Sequence, residues 1–203
     1  MEPVVVSALL PAHPPPRPSV VRPADVGGRA AWQVLVRDGA LRVLADDVAL
    51  AAGREPTPAA RAAAIAPRVP PRAVVAGPTA VWVHAGGPGP GALHLAYRSG
   101  THRPDSPGAA SVWSGTGLGT DSGVVGGVRV TTPERTAVDV ARRLPRERAL
   151  PLLARLAGSG ADLAAASRLL EKRVRVVGRP QARETLAAAR DSPGAHAVCG
   201  DAL

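Results

Sequence analysis

A chain of 203 residues with 45% hydrophobic content and a mean hydropathy near zero suits a soluble, globular protein of one large or two small domains. Its formal charge of +9 rests on 24 arginines and a lone lysine, Lys172, a ratio typical of GC-rich coding, so part of the basicity is coding bias. Cys199 stands alone, which excludes a disulfide framework or thiol metal site, and no apolar run approaches the ~20 residues of a membrane helix.

The N-terminus lacks a basic n-region and Val4 to Leu10 is too short for a secretion signal, so the expected location is cytoplasmic. Phe is absent, leaving Trp32, Trp82, Trp113 and Tyr97 as the aromatics and a core of Val, Leu and Ala. The charge is uneven. Residues 1–52 balance five arginines against five acids, whereas residues 53–203 hold the whole excess, with 12 basic and four acidic residues between Arg142 and Arg190.

Residues 1–18 read as a disordered Pro-rich tail ending in HPPPRP. From Ser19 to Ala52 the text is a short helix at Arg22 to Val26, a Gly27-Gly28 turn and a second helix at Arg29 to Arg37. Asp38-Gly39 stops that helix, and a hairpin follows over Leu41 to Val48. Helix, tight turn, helix and ribbon is the order of a winged helix-turn-helix. On the second helix Arg29, Gln33 and Arg37 fall at i, i+4 and i+8, within about 80° of one face, with Ala31, Val34 and Leu35 on the packing side. Arg pairs with guanine and Gln with adenine at the base edges, which makes these side chains, with Arg42 of the wing, the candidate DNA contacts. The bland alternative is an ordinary amphipathic helix with a solvated polar face. At the wing tip, Asp46-Asp47 would repel phosphate and weaken a DNA contact.

Residues 53–190 read as a second, mixed α/β domain ending in a helical bundle, followed by a flexible C-terminal tail, 191–203. Short helices are expected at Ala59 to Ala66 and Ala80 to Gly86, strands at Ala92 to Arg98 and Ala110 to Trp113, and loops at 86–91, 99–108 and 114–123. Gly115 to Gly119, GTGLG, lacks dinucleotide-loop spacing and reads as a flexible turn. Gly126-Gly127 turns into a strand at Val128 to Val130. Thr131 or Thr132 then caps a helix that begins at Pro133 and carries Ala137, Val140, Ala141 and Leu144 as an apolar stripe. Arg135 and Asp139 pair on its opposite side. Three more helices follow, over Arg146 to Ala157 with a kink expected at Pro151, Asp162 to Lys172, and Arg179 to Arg190.

Val128 to Arg142, VRVTTPERTAVDVAR, resembles the V-x-V-T-[ST]-P-x-R-T-[LVA]-x-D-[LV]-A-R signature of AbiEi-type antitoxins from type IV, abortive-infection toxin–antitoxin systems. Thr131, Thr132, Pro133, Arg135, Thr136, Asp139 and Ala141 are in place. Ala80 to Gly86 also resembles a family segment that ends in a His, here His84. The resemblance implies an N-terminal winged helix that binds an inverted repeat in its own promoter as double-stranded DNA, and a second domain opposing a nucleotidyltransferase-like toxin. Where relatives have Arg-Gly-Val-Tyr in the wing, this chain has Asp46-Asp47-Val48-Ala49. The Vsr-like nuclease domain of some relatives is not expected. Arg142, Arg143, Arg146 and Arg148 are candidates for phosphate or partner contacts.

No Ser/His/Asp set, paired-carboxylate site, metal-ligand spacing or cofactor motif can be assembled, so the expectation is a non-enzyme without cofactor or membrane attachment. Two other readings compete with the antitoxin: an orphan winged-helix regulator without a toxin, and a protein-binding module that no longer touches DNA.

Overall fold

The structure is a computed structural model that describes residues 20–101, 109–173 and 177–191. The expected tails, 1–18 and (beyond Asp191) 192–203, lie outside the described residues.

The N-terminal unit follows the expected order, with its first helix reduced to one 3-10 turn, Pro23–Val26. Gly27 closes that turn at φ 87°, a conformation glycine adopts without steric cost. Helix α1 (Arg29–Arg37) leads to an antiparallel ribbon of β1 (Leu41–Ala45) and β2 (Val48–Ala51). Val21 adds a bridge to Ala49 through two backbone hydrogen bonds of 2.8 and 2.9 Å. The small core holds Trp32, Leu41 and Ala49, with Val21, Val26, Leu35 and Val36 against it. This corrects the wheel at one position. Trp32, Leu35 and Val36 turn inward, and Val34, expected to pack, is 41% exposed. Trp32 brings more apolar area than any alternative on α1, so its face wins the interior.

The ribbon is shared. Successive strand residues point to opposite faces, and while Ala49 joins the small core, Ala45 and Val48 join the main one. That main core lies on one side of a five-stranded mixed sheet of order β5-β4-β3-β7-β6. Its strands are β3 (Val74–Val75), β4 (Leu93–Arg98), β5 (Ala109–Gly115), β6 (Ser122–Val125) and β7 (Val128–Thr131). β6 and β7 form the hairpin expected at Gly126-Gly127. Two helices complete the layer: α2 (Pro58–Ile65), capped by Thr57 Oγ1 at 3.1 Å from the Ala60 N–H, and α3 (Gly77–Ala85).

The chain ends in a helical bundle around α4 (Pro133–Arg143), with α5 (Arg146–Gly158), α6 (Leu163–Lys172) and α7 (Arg179–Asp191) packed on it. The α+β class with terminal helices is thus the observed one. Thr132, of the two threonines considered, caps α4 by accepting from the Arg135 N–H at 3.2 Å. All residues from Arg135 to Ala141 are buried, so α4 is the central helix of the bundle and presents more than one apolar stripe. Pro151 lies within α5 on its exposed side, where water can reach the carbonyl that loses its partner.

Candidate nucleic-acid interface and the buried signature

Arg29, Gln33 and Arg37 all lie on the exposed face of α1, with the ribbon directly after it. The helix is held by its Trp32 stripe, so the three polar side chains are free of any packing duty. Their charges are nonetheless met. Arg29 pairs with Asp47 at the ribbon tip, Arg37 Nε is 4.0 Å from Asp38 Oδ1, and Arg42 Nη2 is 3.7 Å from Glu55 Oε2. Arg42 also donates to the Arg54 carbonyl at 3.0 Å. The other tip carboxylate, Asp46, accepts from Arg68 Nη1 at 3.1 Å, and Arg68 also donates to the Gly91 carbonyl. These are exposed pairs, worth little to stability. Electrostatically they make the face near-neutral.

The second arginine group divides. Arg142 is half-buried: Nε donates to the Val177 carbonyl at 3.0 Å, and Nη1 lies 3.9 Å from Asp139 Oδ1. Arg143 stacks on the Trp113 ring, its guanidinium carbon 4.3 Å from the centroid, a cation–π contact. Burial lowers the pKa of both, although each stays a cation at neutral pH. Arg146 and Arg148 are exposed, and Arg148 is close enough to His94 to help burial depress the imidazole's pKa.

The signature residues form the interior of the second unit. Arg135 is 2% exposed and Asp139 0%, with Nε donating to Oδ2 at 3.0 Å. The pair expected on the outer side of the helix is therefore enclosed, with the β5–β6 loop over it. Arg135 Nη1 reaches that loop, donating to the Thr116 carbonyl at 2.9 Å and to Asp121 Oδ2 at 3.0 Å. Arg173 donates to the same carbonyl and pairs with the same carboxylate. Burial raises the Asp139 carboxyl above its usual range, and Arg135 opposes that shift most strongly. The Thr136 hydroxyl links to the Thr131 hydroxyl at 2.7 Å and donates to the Thr132 carbonyl at 2.8 Å.

The GTGLG segment is accordingly an anchored loop, correcting the flexible turn. Leu118 is buried beneath it. A Cβ at Gly117 would meet the Arg173 guanidinium at 2.7 Å, so glycine lets the arginine lie against the backbone.

His84 is packed and hydrogen-bonded. Nε2 lies 2.7 Å from the Thr131 carbonyl and, facing an acceptor, carries the proton in the neutral ring. Burial lowers its pKa. Arg61 was not among the sequence candidates. It is buried, with Nε, Nη1 and Nη2 donating to the carbonyls of Val83, Pro56 and His84 at 2.8, 2.6 and 2.9 Å. Two of these close the end of α3, where helix carbonyls lack partners. A lone cation inside PAARAAAI was the available signal. Among the described residues no three His, Cys, Asp or Glu side chains converge in a metal-binding group, and no helix is long and apolar enough to cross a membrane.

Compared with known proteins, residues 108–190 match the family described as "AbiEi antitoxin C-terminal domain". The matched span takes in β5 through α7 and the whole buried signature. Among solved structures, the RV2827C protein from Mycobacterium tuberculosis is similar at a TM-score of 0.45 and 18% identity, over 89% of this chain and 75% of that one. No curated protein matches.

Proposed function

We propose that the chain, whose residues 108–190 match the AbiEi antitoxin C-terminal domain, is an AbiEi-type antitoxin that binds double-stranded DNA through a winged-helix N-terminal unit and regulates its own promoter. In this reading the second domain opposes a nucleotidyltransferase-like toxin, and neither domain performs catalysis. The observation that carries the DNA reading is the exposed face of α1: Arg29, Gln33 and Arg37 project together, beside a ribbon, from a helix whose other side is fixed by Trp32. Arg42, expected beside that face, points to the other side of the ribbon, where it pairs with Glu55 and lines a cleft with Trp82 and Gly86. Arg143, Arg146 and Arg148, at the α4–α5 corner, supply phosphate or partner contacts, and Arg142 contributes from a half-buried position.

The test is binding of the full chain to duplex DNA from immediately upstream of its coding sequence, measured by fluorescence anisotropy against salt. Arg29→Ala with Arg37→Ala should abolish the preference for that duplex over an unrelated one, and Gln33→Ala should relax it at one base position. Unchanged preference in the double variant would remove α1 as the reading helix. One observation favours a second reading, a protein-binding module without DNA affinity. Each candidate arginine of the N-terminal unit is already matched by an acid, Asp47, Asp38 or Glu55. A wild-type chain that shows no salt-dependent affinity for any duplex would remove the DNA reading and favour this one.

A further inference from the structure

Among the described residues, the bundle buries one side of α6 and of α7 and leaves the other side uncovered. Leu163, Ala166 and Leu170 of α6, and Ala182, Leu186 and Ala189 of α7, pack inward with α4 and α5. On the reverse side the two helices enclose a groove of about 520 Å³. Its floor is made of small side chains, Ser167 from α6 and Ala187 from α7, and its walls are Arg168 and Lys172 on one helix and Arg183 and Arg190 on the other. Glu171 is the lone acid lining it among the described residues. Arg183 holds that carboxylate bidentately at 3.0 and 2.9 Å, and Arg168 pairs with Asp162 at 3.2 Å, which leaves Lys172 and Arg190 as the wall cations outside these ion pairs. The groove therefore carries a net positive charge.

Charge of this sign admits nucleic acid or an acidic protein, and the shape decides between them. Single strands are gripped by aromatic stacking, yet no aromatic residue lines the groove, and Trp32, Trp82, Tyr97 and Trp113 are all buried elsewhere. Duplex DNA is read by elements that protrude into its grooves, and this surface is concave. A trough between two helices, with a small-residue floor and long cationic side chains on both rims, has the form that receives a third helix. The floor lets the incoming axis approach to the usual ~8–10 Å. The aliphatic stems of Arg and Lys cover its apolar ridge while their heads meet carboxylates.

We propose that the α6–α7 groove docks an acidic amphipathic helix of a protein partner. The proposal is independent of the DNA reading of α1.

The experiment uses the full chain and a fluorescein-labelled amphipathic peptide of about 18 residues, long enough to hold helix, with Leu along one face and Glu elsewhere. A Lys-for-Glu version serves as control and an unrelated DNA duplex as counter-probe, all read by anisotropy. The Glu peptide should bind and the Lys peptide should not. Arg168→Glu with Arg190→Glu should weaken the Glu peptide about tenfold and create affinity for the Lys peptide. Ala187→Trp keeps every charge but fills the floor, and should also weaken the Glu peptide about tenfold. If either variant loses its helical circular dichroism, Arg190→Glu alone carries the same expectation at about threefold. Failure of the Glu peptide to bind, or equal binding to all variants, overturns the proposal. So does a charge effect without an Ala187→Trp effect, which would mean general attraction only. Loss of duplex binding in these variants, with peptide binding unchanged, would assign the groove to nucleic acid.

Discussion

The α1 face and the α4 interior are built from the same chemistry, arginine against carboxylate, and burial separates what each accomplishes. On α1, Arg29 and Asp47 are 62% and 46% exposed, solvated on most sides, and their pairing is exchangeable for another anion at small cost. Around α4, Arg135, itself 2% exposed, binds the fully buried Asp139, the largely buried Asp121 and the Thr116 carbonyl. Removing Arg135 strands the buried Asp139, whereas Asp121 and the Thr116 carbonyl keep Arg173. The charged signature shared with the matched family therefore frames the second core, while the candidate contacts on α1 remain solvated.

The comparison breaks first at Arg135. Arg135→Ala should cost about 3–5 kcal/mol in urea denaturation, because the fully buried Asp139 loses its hydrogen-bonded cation while Asp121 keeps Arg173. A loss below about 1 kcal/mol, the range of exposed pairs, would show that burial does not separate the two regions. Arg61→Ala comes next, at about 2–3 kcal/mol, since three backbone carbonyls lose a charged donor.

Acid should produce a smaller effect. Burial lowers the pKa of His84 and His94 below 6.5, so the unfolded chain takes up protons before the folded one does. Stability is then complete above about pH 6.5 and falls as the pH drops below it. His84→Gln, which retains a donor toward Thr131, should flatten the decline in denaturation midpoints. An unchanged slope would mean that His84 does not contribute. The smallest change in stability, under about 1 kcal/mol, is expected for Asp46→Asn with Asp47→Asn. The same variant should raise duplex affinity and steepen its salt dependence by freeing Arg29 and Arg68. Unaltered affinity would mean that the ribbon tip stays away from DNA.

Much of the fold was legible because it is written locally. The Thr132 cap, Pro133 at the first helical position, the Gly126-Gly127 hairpin and the stop at Asp38-Gly39 each act within a few residues. The α1 face was legible for the same reason: a period of 3.6 suffices to gather Arg29, Gln33 and Arg37. What escaped depends on distant packing. Nothing near Arg135 in sequence announces Arg173, 38 positions later, or the loop at Thr116 that both arginines hold. Val34 looked as apolar as its neighbours, and only the placement of Trp32 turned it outward. Arg61 required knowing that α3 ends beside α2.

The ribbon that follows α1 serves two interiors at once, Ala49 to one side and Ala45 with Val48 to the other. Truncating the chain at position 52 would thus tear apolar surface from both fragments. The larger piece would present a raw hydrophobic scar to solvent, and it should self-associate more readily than the intact chain. Any graft that exchanges the N-terminal unit for another will succeed only if the donor brings a strand pair that plugs the same gap.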